Sequence, residues 1–109
     1  MDERARRVGK NEALFRTVNE QVATLNDRFE RFGDPMSAIC ECGRFDCNER
    51  VDVPAQAYEE VRQDPARFIV RPHHIEPDVE SLVEDRNGYW VIRKHEGDPA
   101  KLARQTAPR

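Results

Sequence analysis

From Asn11 to about Phe32 apolar residues recur on a helical period. Phe15, Val18, Val22, Leu25, Phe29 and Phe32 are spaced 3, 4, 3, 4 and 3, which lines six side chains along one narrow stripe. Arg16, Asn19, Glu20, Gln21, Asp27, Arg28 and Glu30 fall on the other faces. The spacing predicts an amphipathic helix over 11–33, with Asn11 as N-cap and Gly33-Asp34-Pro35 as its stop. Residues 1–10 are polar, with Gly9 as a break, and are expected to form a flexible N-terminus. The stripe has two uses. It can pack on the rest of the chain, or Phe15, Val18, Val22, Leu25 and Phe29 can form a short seam for a protein partner or a second copy.

Beyond the helix the period shortens. Ser37-Ala38-Ile39-Cys40 and Glu49-Arg50-Val51-Asp52-Val53 alternate as strands do. Pro54 opens a short helix over 55–63, with Ala57, Tyr58 and Val61 on its inner face, and Asp64-Pro65 ends it. Phe68-Ile69-Val70 reads as a buried strand leading into the turn Arg71-Pro72-His73-His74. Asn87-Gly88 joins 79–86 and 89–95 in a hairpin, with Val83, Trp90 and Ile92 predicted on one face. Residues 97–109, with Gly97, Pro99 and Pro108, are expected to be a flexible tail with one helical turn around Lys101 to Arg104. The predicted class is α+β: a long helix, then a small β-rich domain over 34–96 with one short helix and a C-terminal hairpin.

The 109 residues fit one domain, and a chain 38 % hydrophobic and 36 % charged is too apolar for disorder and too polar for a large core. No apolar run approaches the ~18 residues that span a bilayer, so a soluble, cytoplasmic protein with no membrane partner is expected. Net charge is −3, but it is uneven. Residues 34–85 carry five basic and thirteen acidic side chains, whereas 86–109 carry six basic and two acidic. An acidic middle repels phosphates and suits a basic partner.

The chemistry concentrates in Cys40-Glu41-Cys42-Gly43-Arg44-Phe45-Asp46-Cys47, a C-x-C-x4-C cluster. An odd number of cysteines in a chain expected to be cytosolic argues against a disulfide framework and for a metal. Structural zinc takes a tetrahedron of thiolates and imidazoles, so three local cysteines call for one histidine from elsewhere. His73, His74 and His95 are available, and His74 is favoured because it projects beyond the turn that Pro72 restrains. The expected Zn2+ ligands are Cys40, Cys42, Cys47 and His74, with His73 as the alternative fourth. The short C-x-C spacing strains a chelate, which leaves open whether both Cys40 and Cys42 bind. Such a shell is closed to water, which points to a structural role. Glu41 would be the base of a catalytic site, but neighbours on a strand point to opposite sides.

The stretch ICECGRFDCNERVDVPAQAYEEVRQDPARFIVRPHHIEPDVE, preceded by NEALFRTVNEQVATLND, resembles short, uncharacterised, mainly actinobacterial proteins. In these a helix opening N-E-x-L-F/x-R-x-V-N-E precedes a C-E-C-x4-C cluster, a Y-E-x-V-R-x-x-P-x-R-F segment and a histidine turn. The likeness covers roughly residues 10–95. It implies a zinc-ribbon-like domain with the same four ligands and carries no function.

No nucleophile–histidine pair, acid–base pair or phosphate-binding loop stands out, so an enzyme is not expected. The leading expectation is a non-catalytic, zinc-stabilised interaction or regulatory module. One alternative is a nucleic-acid-binding knuckle built on Arg44, Phe45 and Arg50, aided by Arg4, Arg6, Arg7, Lys10, Arg93, Lys94, Lys101 and Arg104 if these converge. Another is a thiol-based redox switch.

Overall fold

The computed structural model describes residues 1–29 and 35–108, with side chains described for 1–25 and 35–108. Helix α1 (Glu3–Phe29) begins well before Asn11. Asp2 caps it, its Oδ1 accepting the Ala5 amide at 2.7 Å. Gly9 is a packing residue rather than a break: a Cβ there would lie 2.7 Å from Leu102 Cδ2. The expected flexible N-terminus is therefore helical, because Ala5 and Gly9 let the last helix approach closely and Arg4 pairs with Glu76 and Asp78. Phe32 and the stop at Gly33-Asp34 lie outside the described residues, as does the side chain of Phe29.

Strand β1 (Met36–Ile39) pairs antiparallel with β2 (Arg50–Val53), placing Met36 opposite Val53 and Ala38 opposite Val51. All four are buried, as the alternation requires. Pro54 leads into α2 (Ala55–Arg62), which buries Tyr58, Val61 and Arg62. A second antiparallel sheet has the order β3-β5-β4, from β3 (Arg67–Val70), β4 (Glu80–Arg86) and β5 (Tyr89–Lys94). Its strands β3 and β5 are covered on both faces. Ile69, Tyr89 and Val91 join Met36, Ala38, Val51, Val53, Tyr58 and Val61 in one core. Phe68, Val70 and Ile92 join Cys40, Cys42 and Ala103 in a second. Burial on both faces explains the unbroken run Phe68-Ile69-Val70.

The predicted hairpin face is corrected at Val83. A bulge between Leu82 and Glu84 takes Val83 out of the ladder and leaves it exposed, while Trp90 and Ile92 do share a face. The tail expected to be loose contains α3 (Asp98–Gln105), which buries Ala100 and Ala103.

Helix α1 presents a face that periodicity did not predict. Ala5, Glu12, Ala13, Arg16, Asn19 and Ala23 are buried, whereas Leu14, Val18 and Leu25 are 58 %, 38 % and 51 % exposed. Val22 packs partly on the first core and Phe15 is half-buried. The inward polar groups each have partners from distant parts of the chain. Arg16 lies over the Phe68 ring at 4.7 Å and donates to the carbonyls of Pro65 at 2.6 Å and Ala103 at 2.9 Å. Glu12 and Glu80 share the Lys94 ammonium at 2.8 and 3.1 Å.

Candidate metal centre

The cysteine segment is a strap that leaves one sheet for the other. The Cys40 amide donates to the Glu49 carbonyl at 2.9 Å and continues the β1–β2 ladder; the Glu41 amide donates to the Ile69 carbonyl at 2.9 Å on β3. Side chains then alternate. Cys40 and Cys42 enter the second core, and Glu41 goes the other way. Past Cys42, Gly43 at φ +78° turns the chain, and a turn from Arg44 to Cys47 (3.0 Å, amide to carbonyl) brings the third sulfur back.

His74 comes from the turn after β3. Its amide donates to the Arg71 carbonyl at 3.0 Å, and His73 holds a left-handed φ of +73°. That reversal sends the two imidazoles apart: His73 is exposed beside Trp90, centroids 4.6 Å apart, and His74 Nδ1 lies 3.6 Å from the sulfurs of both Cys40 and Cys47. One donor atom from each of Cys40, Cys42, Cys47 and His74 lies within 4.8 Å of the other three. Three cysteines and one histidine are thus positioned to bind a metal ion. All three cysteines are free of disulfides. The Arg71 amide donates to Cys40 Sγ at 3.2 Å, the kind of outer contact that orients a thiolate ligand.

The crowding shows in the thiols. A hydrogen bond shared with Cys40 holds Cys42 down to about 5, while that same bond and burial push Cys40 up. Burial also raises Cys47. Three adjacent sulfurs do not ionise together without a compensating charge of the kind a cation supplies.

Glu41 does not face this group. Its carboxylate accepts from Asn19 Nδ2 at 2.7 Å, from Arg62 Nη2 at 2.5 Å and from the Ile69 amide at 2.9 Å. It is fully buried and is not placed to act on anything bound by the cysteines. Asn19 also bonds both backbone groups of Ile39, each at 2.8 Å, and Asn11 Nδ2 donates to the Gly43 carbonyl at 2.9 Å. These supports were not found from the sequence. In the sequence Asn11 reads as a cap and Asn19 falls on an outer face; the one signal is strand alternation, which turns Glu41 away from the cysteines.

The stripe residues of α1 divide between surface and core. Val18 and Leu25 are exposed, Phe15 and Val22 are half-buried, and Phe29 lies among the undescribed side chains. Phe45 projects from the strap loop at 91 % exposure. Of the basic groups, Arg4 and Arg44 pair with Glu76, Arg93 with Asp64 and Glu96, Arg104 with Glu96, and Lys94 is buried. Among the described residues no helix is long and apolar enough to cross a membrane. No family model matches the chain, and comparison with curated proteins and with solved structures finds no match, so the cysteine–histidine group stands on its own geometry.

Proposed function

We propose that the chain is a small non-catalytic domain that holds a structural Zn2+ through Cys40, Cys42, Cys47 and His74. One observation carries this reading. A tetrahedral zinc with Zn–S of ~2.3 Å and Zn–N of ~2.0 Å separates a sulfur from a nitrogen by roughly 3.5 Å; His74 Nδ1 is 3.6 Å from two of the sulfurs. Thiolate-rich tetrahedral donor sets favour zinc over hard cations. With four protein donors the shell is closed to water, and Glu41, the carboxylate between two of the ligands, is engaged elsewhere. Both points support a structural rather than a catalytic ion, with the zinc-ribbon likeness resting on the same residues.

The proposal includes an interaction role for α1, with a second copy of this chain as the occupant. Leu14, Val18 and Leu25, with Gln21 between them, are spaced 4, 3 and 4, the interval at which one helix meets its own copy in a coiled-coil seam. Elemental analysis of protein purified without chelator, with native mass from the same sample, tests both parts. One zinc per chain and a dimeric mass are expected. Absence of metal with three titratable thiols and an intact fold overturns the zinc reading, and a monomer at high concentration overturns the second copy.

A further inference from the structure

The strap that carries two of the cysteines is also the surface on which α1 rests. Its thiol side bears Cys40 and Cys42. Its opposite side is held by α1 at three points: Asn19 bonds the amide and carbonyl of Ile39, Asn19 meets the Glu41 carboxylate, and Asn11 bonds the Gly43 carbonyl. Contact at Gly43 is as close as two chains permit. A Cβ there would lie 2.7 Å from the Val8 carbonyl oxygen and 2.9 Å from Glu12 Cγ.

What α1 buries makes this contact sensitive to strap geometry. Among its described residues the buried apolar side chains are the alanines Ala5, Ala13 and Ala23, which bring little apolar area, with Val22 packed partly on the first core; the buried polar side chains are Glu12, Arg16 and Asn19. Apolar burial is non-directional and tolerates small shifts. Hydrogen bonds to a backbone weaken steeply with misalignment. A helix docked mainly by directed polar contacts therefore depends on its counterpart keeping one conformation, including the left-handed turn at Gly43.

From this geometry we infer that metal occupancy and docking of α1 are coupled: the bound ion fixes the conformation of residues 39–43, and release of the ion frees α1 from the rest of the fold. The inference rests on the metal reading above. Coupling of this kind is reciprocal: the factor by which the ion favours docking of α1 is the factor by which docked α1 favours the ion. Asn11 and Asn19 act here as positioning residues for the cysteines, two residues that touch no sulfur themselves.

Hydrogen exchange on the full chain, zinc-loaded and then stripped by chelator under reducing conditions, tests one direction. The α1 amides are expected to lose protection at least about tenfold more than those of β5. Competition for Zn2+ against a chromophoric chelator tests the other. Asn19→Ala is expected to weaken zinc binding roughly tenfold and the exposed Lys10→Ala to leave it unchanged. Asn11→Ala, which removes one outer contact, serves where Asn19→Ala does not fold. Equal α1 protection with and without zinc overturns the coupling while leaving the metal site standing, as does a folded Asn variant with wild-type affinity. Collapse of β5 together with α1 overturns selective release. A chain that takes up no zinc overturns the metal reading and the coupling with it.

Discussion

Arg62 Nη2 lies 2.5 Å from each oxygen of the Glu41 carboxylate, at a place where neither side chain meets water. The guanidinium is flanked by the Tyr58 ring at 4.9 Å and the Phe68 ring at 6.0 Å, and Arg62 Nη1 donates to the Arg67 carbonyl at 3.3 Å. Burial works against the Arg62 charge, but Glu41 outweighs it and holds the guanidinium above its ordinary value. This pair links α2, β3 and the cysteine strap through one carboxylate. Removing one partner of such a pair leaves the other charge buried and unpaired, which costs about 3–5 kcal/mol. Arg62→Met is expected to lose that much in denaturant unfolding, and the double variant Glu41→Leu with Arg62→Met to recover a large part. A single variant within ~1 kcal/mol of wild type would show that the pair is not buried in solution.

The Glu12–Lys94–Glu80 group sets a pH dependence. Burial and the adjacent Glu80 carboxylate push Glu12 well above the ordinary glutamate range, against the pull of Lys94. The native state therefore binds a proton that the unfolded chain releases, and a proton on Glu12 leaves one ammonium facing one carboxylate. Stability from this group is complete below the unfolded glutamate value and is lost as pH rises through the raised folded value. Glu12→Gln keeps the shape and removes the titration. Plotted against pH, its unfolding free energy relative to wild type is expected to rise across that window. A flat difference would contradict the buried, raised carboxyl.

Gly43 and Gly88 both adopt positive φ, +78° and +92°, yet only Gly43 is enclosed. Nothing lies within 4 Å of a Cβ built on Gly88, whereas at Gly43 the Val8 carbonyl oxygen stands 2.7 Å away. Gly88→Ala therefore meets only the left-handed penalty of about 1–2 kcal/mol. Gly43→Ala meets that penalty and a backbone clash, and is expected to be the more destabilising of the two in parallel unfolding curves. Equal losses would mean that α1 does not sit on the strap.

The outer face of α1 gives a prediction in which stability and assembly separate. Val18→Glu with Leu25→Glu replaces exposed side chains, so each change is expected to move stability by no more than about 0.5 kcal/mol. Native mass is expected to fall from dimer to monomer. An unchanged mass would remove α1 from the contact.

How much of this was legible depends on how local each signal is. The cysteine–histidine cluster is readable because three of its members sit within one short segment, and His74 follows a strand and a proline that restrain its turn. The hairpin was readable from Asn87-Gly88, and α2 from Pro54, for the same reason. The face of α1 was not. Periodicity sends Arg16 and Asn19 outward because it scores side chains by polarity alone, and their partners lie far along the chain: Phe68 and the carbonyls of Pro65 and Ala103 for Arg16, Ile39 and Glu41 for Asn19. Gly9 read as a helix breaker because nothing nearby announces Leu102, the side chain that needs the space. Buried polar groups with remote partners are the class that a one-dimensional pattern misreads.

X-ray absorption at the zinc edge on the purified, zinc-loaded chain tests the central claim most directly. Three sulfur scatterers at ~2.3 Å and one nitrogen at ~2.0 Å are expected, with the nitrogen lost in His74→Ala and kept in His73→Ala. A first shell of oxygen and nitrogen alone, or a spectrum unchanged by His74→Ala, would contradict the assignment of Cys40, Cys42, Cys47 and His74 as the ligands.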